Sequence, residues 1–224
     1  MCDAVRPGVS TKALDDLAFD TMAALGCKSA DYGYYGYPGQ TCISVNEAVI
    51  HGVPSEKVVI RDGDLVSIDI TVECGGFVGD NARTVIVGEG SREKRDFVAW
   101  TEEALKAGIA AARAGNRVGD ISHAVELVAG RHRLGIVREY VGHGCGLSIH
   151  EGPEIPNYGA PHQGPVLREG MVICIEPMLT LGSRRIRTLK DGWTVVTADG
   201  SLACHSEQMV AITASGPAEI LTPR

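Results

Sequence analysis

Residues 60–69 read IRDGDLVSID, and 107 positions later residues 167–176 read LREGMVICIE. The two align without a gap. Each is a turn of arginine, acid and glycine, then an apolar strand that closes on a carboxylate: Asp69 in the first copy, Glu176 in the second. The same offset carries Gly8, Leu14 and Leu17 onto Gly115, Ile121 and Ala124, each set following a glycine-bearing turn at the head of a helix-like stretch. A looser match pairs Ser44-Val45-Asn46-Glu47 with Ser148-Ile149-His150-Glu151. Three matches in one order predict a duplicated unit with a shared site between its halves.

Hydrophobic periodicity extends this frame in both directions. Residues 11–25 read as a helix with Leu14, Leu17, Ala18, Met22 and Leu25 on one face. Residues 40–51 read as extended, and 64–73 with 77–87 as a strand pair. Phe97, Thr101, Ala104, Leu105, Gly108, Ile109 and Ala112 mark an amphipathic helix over 91–113. A further helix is predicted over 119–133. Strands follow at about 137–141, 146–150, 171–179, 193–198 and 207–213. Helices flanking a mostly antiparallel sheet give an α+β class.

The chain has 224 residues, 44% of them hydrophobic and 22% charged, which excludes a disordered protein. Its net charge of −7 argues against nucleic-acid or anionic-membrane binding, since both need concentrated positive charge. The apolar runs are too short to span a bilayer: Leu65–Ile68 stops at Asp69, and Met171–Ile175 stops at Glu176. The N-terminus lacks the basic-then-apolar pattern of a signal peptide. Seven cysteines with no CxxC pair predict reduced thiols in a cytoplasmic protein.

The chemistry gathers on acids placed where solvation does not explain them. With Cys74-Gly75 as the centre of a hairpin, Asp69 and Asp80 fall on directly opposed positions, about 5 Å apart at Cβ. Like charges in that arrangement destabilise a sheet, and a cation between them removes the penalty. Glu176 closes an apolar strand, and a buried carboxylate needs a partner charge or a metal. Glu207 precedes the strand Met209-Val210-Ala211-Ile212. His143 lies in Gly142-His143-Gly144-Cys145-Gly146, where glycine lets backbone approach the imidazole closely. His51 and His150 lie in corresponding regions of the two halves, each near an acid and a glycine. His123, His132, His162 and His205 are read as structural. Four carboxylates and one imidazole suit a pair of divalent ions, with Mn, Fe or Co favoured and Zn a further option. Two ions about 3.5–4 Å apart can activate a water and polarise a carbonyl. HExxH, GxSxG and P-loop signatures are absent.

These residues stand in stretches that resemble the type I methionine aminopeptidases of the creatinase/aminopeptidase "pita-bread" family. The stretches are GYPGQTCISVNEAVIHG (36–52), RDGDLVSIDITV (61–72), GDNARTVIVG (79–88), REYVGHGCGLSIHEGPEIPNY (138–158), LREGMVICIEPM (167–178) and KDGWTVVT (190–197). The resemblance runs from about Arg6 to Arg224. It implies two pseudo-symmetric halves with a curved antiparallel sheet flanked by helices. It also implies a single catalytic domain over 1–224, with half 1 at about 1–88 and half 2 at about 89–224.

The family's metal ligands fall on Asp69, Asp80, His143, Glu176 and Glu207. Asp80 and Glu207 would bridge both ions, Asp69 would bind one, and His143 with Glu176 the other. Glu176 would also move the proton of the attacking water. His51 and His150 match the substrate-contacting histidines, which position the scissile amide and stabilise the oxygen that gains charge. The substrate's free α-amine would sit at the metal held by Asp69, which makes the enzyme an exopeptidase. Tyr34, Tyr37, Cys42 and Trp193 match the methionine pocket, whose soft and apolar groups suit a thioether. The implied activity is removal of the N-terminal methionine from nascent polypeptides, at the ribosome, by a cytoplasmic monomer, when the second residue is small.

Three positions depart from the family's pattern: Asp31, where a Cys or small apolar residue is expected, Ile149, where a Phe is common, and Gln208, where a His is common. The first two bear on the strictness of methionine selection. By the 107 offset, the helix at 91–113 has its partner at about −16 to 6, so most of an N-terminal helix of half 1 is missing from the sequence. The expectation is an uncovered apolar face, with either a start upstream or a less stable protein. Alternative readings are a Pro-specific dimetal peptidase of the same fold, and a truncated paralogue that binds without catalysis or is weakly active.

Overall fold

The computed structural model describes residues 1–223; Arg224, where the predicted second half and the family resemblance end, lies outside them. Three helices carry the outside of the fold: α1 (Thr11–Ala24), α2 (Arg92–Ala111) and α3 (Val118–Arg131). The strands of the first part are β1 (Lys28–Ser29), β2 (Cys42–Val45), β3 (Ala48–Ile50), β4 (Leu65–Cys74) and β5 (Phe77–Ile86). Those of the second are β6 (Gly135–Ile136), β7 (Gly142–Gly144), β8 (Glu151–Ile155), β9 (Val172–Ile175) and β10 (Met178–Thr180). They continue with β11 (Ile186–Thr188), β12 (Val195–Thr197), β13 (Ala203–His205), β14 (Gln208–Ala211) and β15 (Glu219–Ile220). Every pairing between named strands is antiparallel. This is the α+β pita-bread architecture that the resemblance implied.

The repeat is written in the backbone hydrogen bonds. Gly8 N donates to Ile60 O and Gly115 N to Leu167 O; Thr11 N donates to Val58 O and Val118 N to Pro165 O. The isolated bridges Ser10–Val59 and Arg117–Val166 also match at the same offset of 107. Helices α1 and α3 start and stop at equivalent residues. Ser10 caps α1 by accepting from the Ala13 amide, and Asp120 in the first turn of α3 accepts from the Arg117 amide. The looser match does not hold. Ser44 lies in β2 opposite Ser67, whereas Ser148–His150 form a bend leading into β8.

Several expectations are corrected. The hairpin turns at Gly75-Gly76, with φ of 60° and 87°, one residue later than predicted. Positive φ at both central positions suits the tight turn whose twist matches the flanking strands, and glycine reaches it without steric cost. Cys74 therefore pairs with Phe77, Asp69 faces Ala82, and Asp80 faces Thr71. The two acids lie diagonally on one face rather than directly opposed.

The predicted strand at 146–150 is that same bend, and the strand follows it as β8. The run 171–179 is two strands, β9 and β10, broken at Glu176-Pro177, since proline cannot donate to a ladder. On α1, Leu14, Ala18 and Met22 are buried, but Leu17 and Leu25 are 39% and 72% exposed. Helix α3 packs on α2, with Val125, Val128 and Ala129 in one cluster with Phe97 and Ala104. A short 3-10 turn at Cys2–Ala4 holds the place of α2's last residues in the repeat, and Met1, Cys2, Ala4 and Val5 pack against the core of Leu14, Ile43, Ile60 and Val66.

Cys27 and Cys74, expected as reduced thiols, form a disulfide. The pairing of Lys28 with Glu73 brings β1 beside the end of β4 and sets their neighbours side by side. The other five cysteines take no part in a disulfide among the described residues.

Candidate metal centre

Two sheets meet where Glu207 N donates to Ala82 O at 2.9 Å. That bond, with the two between Thr84 Oγ1 and the His205 backbone, sets β13 and β14 of the second part beside β5 of the first. It carries Glu207 to the face of β4 and β5 that bears Asp69 and Asp80. From the other side, β7 delivers His143 and the end of β9 delivers Glu176. Close packing of these strands depends on glycine around His143. A Cβ at Gly142 would stand 2.3 Å from Cys174 O, and one at Gly144 2.4 Å from Gly152 O. The sequence expectation of close backbone approach at this imidazole is met.

The five predicted ligand residues come together. His143 Nε2 lies 3.5 Å from Glu176 Oε1 and 3.8 Å from Asp80 Oδ2. One set of ligand atoms within 4.8 Å of one another joins Asp80, His143 and Glu207 with Cys174. Asp80, His143, Glu176 and Glu207 are all buried. Asp69 Oδ1 is closed off from solvent and has no hydrogen-bond partner among the described residues. No lysine or arginine lines the cavity above them.

Electrostatics follow from that enclosure. Burial raises the carboxyl pKa of Asp69, Glu176 and Glu207 well above the ordinary range, and neighbouring acids add to the effect. Burial, then the charge of Asp31, pushes Asp80 up to about 8. Burial lowers His51 and His143 to about 4 and lowers His150 as well. A crowd of buried acids with a neutral imidazole, an unpartnered oxygen and no cationic side chain is a donor set that fits divalent cations.

The cavity has a volume of about 290 Å³. Besides the five residues, its lining includes His51, His150, Tyr34, Tyr37, Cys42 and Trp193, so every residue proposed for substrate contact reaches it. His51 is held at φ 55°, a left-handed conformation that costs a non-glycine residue about 1–3 kcal/mol. Tyr34 Oη lies 3.0 Å from His150 Nδ1. Tyr37 is pinned by donating to the Thr41 and Gly52 carbonyls, and its ring meets Trp193 edge-on. Asp31 and Ile149 also line the cavity. Burial raises Asp31 to about 7, and its carboxylate accepts from the Thr71 amide. Gln208 instead donates to the Thr222 carbonyl.

Sequence reasoning missed two supporting groups. Thr71 Oγ1 donates to Asp80 Oδ1 at 3.2 Å. Its position two residues beyond Asp69, on the same strand face, was the available signal. His205, read as structural, lines the cavity with Nε2 3.4 Å from Glu176 Oε2. The structural reading suits His132, which stacks on Trp100, and His162, which pairs with Asp120.

The model of metallopeptidase family M24 matches residues 1–214. The chain is 50% identical over 219 residues to a methionine aminopeptidase of Treponema pallidum, covering 97% of this chain and 85% of that protein. Identity to methionine aminopeptidase 1 of Bacillus subtilis is 45%, with 95% and 85% covered. Among solved structures, the Thermotoga maritima methionine aminopeptidase superposes with a TM-score of 0.96 at 42% identity, covering 99% of this chain and 89% of that one. A prolidase from Pyrococcus furiosus superposes at 0.76 and 26% identity, and only 58% of its length is covered. The chain belongs to metallopeptidase family M24, among the methionine aminopeptidases.

Proposed function

We propose that this protein removes the N-terminal methionine from polypeptides whose second residue is small. The observation that carries the reading is the convergence of Asp69, Asp80, His143, Glu176 and Glu207 on the floor of a cavity whose walls are aromatic and sulfur-bearing. Asp80 and Glu207 lie centrally and would hold both cations, Asp69 one, and His143 with Glu176 the other. When bound, two divalent ions supply Lewis-acid polarisation of the amide and activation of water. The predominance of oxygen donors favours Mn, Fe or Co, with Zn a further candidate.

The chain's own groups do the rest. Glu176 Oε1 takes and returns a proton on the scissile side. His205 against its other oxygen, and Asn157 donating to its backbone carbonyl at 3.0 Å, keep it in place. His51 and His150 hold the scissile amide and donate to its oxygen as charge builds there. His150 is oriented by Tyr34. Tyr37, Cys42 and Trp193 receive the methionine side chain, and Asp31 and Ile149 set how strictly it is chosen. The free α-amine binds on the Asp69 side, so an internal peptide lacks the group that anchors the substrate.

The working protein is a cytoplasmic monomer acting on nascent chains at the ribosome. No helix among the described residues is long and apolar enough to cross a membrane. The test is release of methionine from Met-Gly-type and Met-Leu-type peptides with Mn, Fe, Co or Zn, with Glu176→Gln as control. Preferential cleavage of the Met-Gly type is expected. No release with any of the four metals contradicts the reading, and cleavage before proline without methionine release favours a Pro-specific peptidase.

A further inference from the structure

Beside the carboxylates the same sheet carries a second and softer set of donors, whose two thiols, Cys145 and Cys174, lie outside the lining of the substrate cavity. His143 and Cys145 are alternate residues at one strand end and so project to one face. Cys145 N donates to Val172 O at 3.2 Å, which sets that strand against β9 and brings Cys174 alongside. Cys174 is fully buried and Cys145 is 3% exposed. The two side chains pack in one buried cluster, and the Cys145 thiol donates to the Val78 carbonyl. One nitrogen and two sulfurs, from His143, Cys145 and Cys174, lie within 4.8 Å of one another. His143 and Cys174 also belong to the set that includes Asp80 and Glu207. Val78, Ile149 and Met209 close the pocket with apolar and thioether surface.

Buried free cysteines often serve only as small apolar residues. Two of them in contact, beside an imidazole and within reach of a carboxylate, form a donor set of another kind. Thiolate ligation selects Zn(II) and similar soft ions over the oxygen-preferring Mn(II), and two cysteines, one histidine and one further ligand complete a tetrahedral site.

We propose that His143, Cys145 and Cys174 hold a thiophilic divalent cation, Zn(II) or Cd(II), with Glu207 as fourth donor. Two S–H protons leave as two metal–sulfur bonds form, and no electron is transferred. Because His143 serves both donor sets, occupation of this site withdraws it from the working pair and inhibits the enzyme. Only that inhibitory consequence rests on the proposed activity; the binding itself does not.

The experiment is a Cd(II) titration of the full chain in non-reducing buffer, followed by thiolate-to-cadmium charge-transfer absorption and by cadmium nuclear magnetic resonance. The absorption band is expected in the native protein, diminished in Cys145→Ser and lost in Cys174→Ser, with a resonance in the range of sulfur ligation. Melting curves establish that the variants fold, and the native protein's resonance tests the site without them. Absence of the band, a band unchanged in both variants, or a resonance typical of oxygen and nitrogen ligation alone overturns the proposal. In parallel, Cd(II) should suppress Mn-supported methionine release by the native protein and suppress it less in Cys145→Ser. Intact methionine release with no thiolate band sinks this site alone. A thiolate band with no release under any metal sinks the activity instead.

Discussion

The apolar run that leads into Asp69 and the apolar run that leads into Glu176 begin alike and finish differently. In the first half β4 runs unbroken through Asp69 to a glycine turn and returns as β5, so the acid lies inside a long ladder beside Asp80. In the second half Pro177 stops the ladder just after Glu176. The chain breaks there, and Glu176 meets His143 and His205 instead of another strand's acid. One backbone unit used twice thus yields two unlike contributions. The first half supplies oxygens held rigidly by a sheet. The second supplies a carboxylate at a strand end with nitrogen on both sides, which suits a group that must exchange protons. In the proposed reading both halves hold metal, and proton handling falls to the second.

The largest effect expected from that division is at Glu176. Glu176→Gln keeps an oxygen donor but removes the proton exchange, and kcat should fall by about 10²–10⁴-fold. Steady-state kinetics at saturating metal tests this, and a kcat within a factor of a few of the native value would break the contrast. On the other half, Thr71→Val removes the hydroxyl that orients Asp80. Metal affinity measured by titration calorimetry should drop by about 10–100-fold. An unchanged affinity would mean that the ladder alone fixes Asp80.

The third test concerns how the second half delivers its imidazole. Gly142→Ala forces a Cβ onto the Cys174 carbonyl and should cost about 1–3 kcal/mol of stability in chemical denaturation. Alanine at Gly79 of β5, where a Cβ meets nothing within 4 Å, is the contrasting control.

The smallest effect is a pH dependence of the metal-free chain. Asp80, raised from 3.8 to about 8, and the other raised carboxyls keep protons in the folded state that the unfolded chain has lost. Their stabilisation is present at low pH and is lost as pH climbs toward 8. His51 and His143, lowered from 6.5 to about 4, act oppositely, since stability rises from pH 4 to 6.5 as the unfolded histidines lose protons. Above 6.5 only the carboxyl effect remains, so the melting temperature in chelator should fall between pH 6.5 and 8. Saturating metal should abolish the fall. A rising curve in chelator over that window would contradict the assignment.

Much of this was legible in the sequence because the repeat encodes hydrogen-bonding turns, and turns tolerate few residue types. Gly8 and Gly115, and the Arg-acid-Gly turns, mark the same contacts in both halves. Asp69 and Glu176 stood out because solvation cannot explain a carboxylate that follows a mostly apolar strand run. Register was less legible. Two adjacent glycines allowed a turn at either Cys74-Gly75 or Gly75-Gly76, and only the demand for positive φ at both central residues decides between them. His205 and Thr71 escaped because their roles depend on which strands become neighbours. Leu17 and Leu25 misled because periodicity reports which face is apolar, and not whether a partner helix covers it. The Cys27–Cys74 bond depends likewise on the pairing of β1 with β4, which no local pattern announces.

The division of labour is tested most directly by counting metal. The chain saturated with Mn(II) or Co(II), and freed of loosely held ions, is expected to retain two equivalents by elemental analysis. Asp69→Asn and His143→Ala should each retain one, and the remaining Co(II) should differ in its absorption spectrum, with nitrogen ligation kept in the first variant and lost in the second. A native chain that holds one ion or none, or two variants with identical stoichiometry and identical spectra, would contradict a centre built unequally from the two halves.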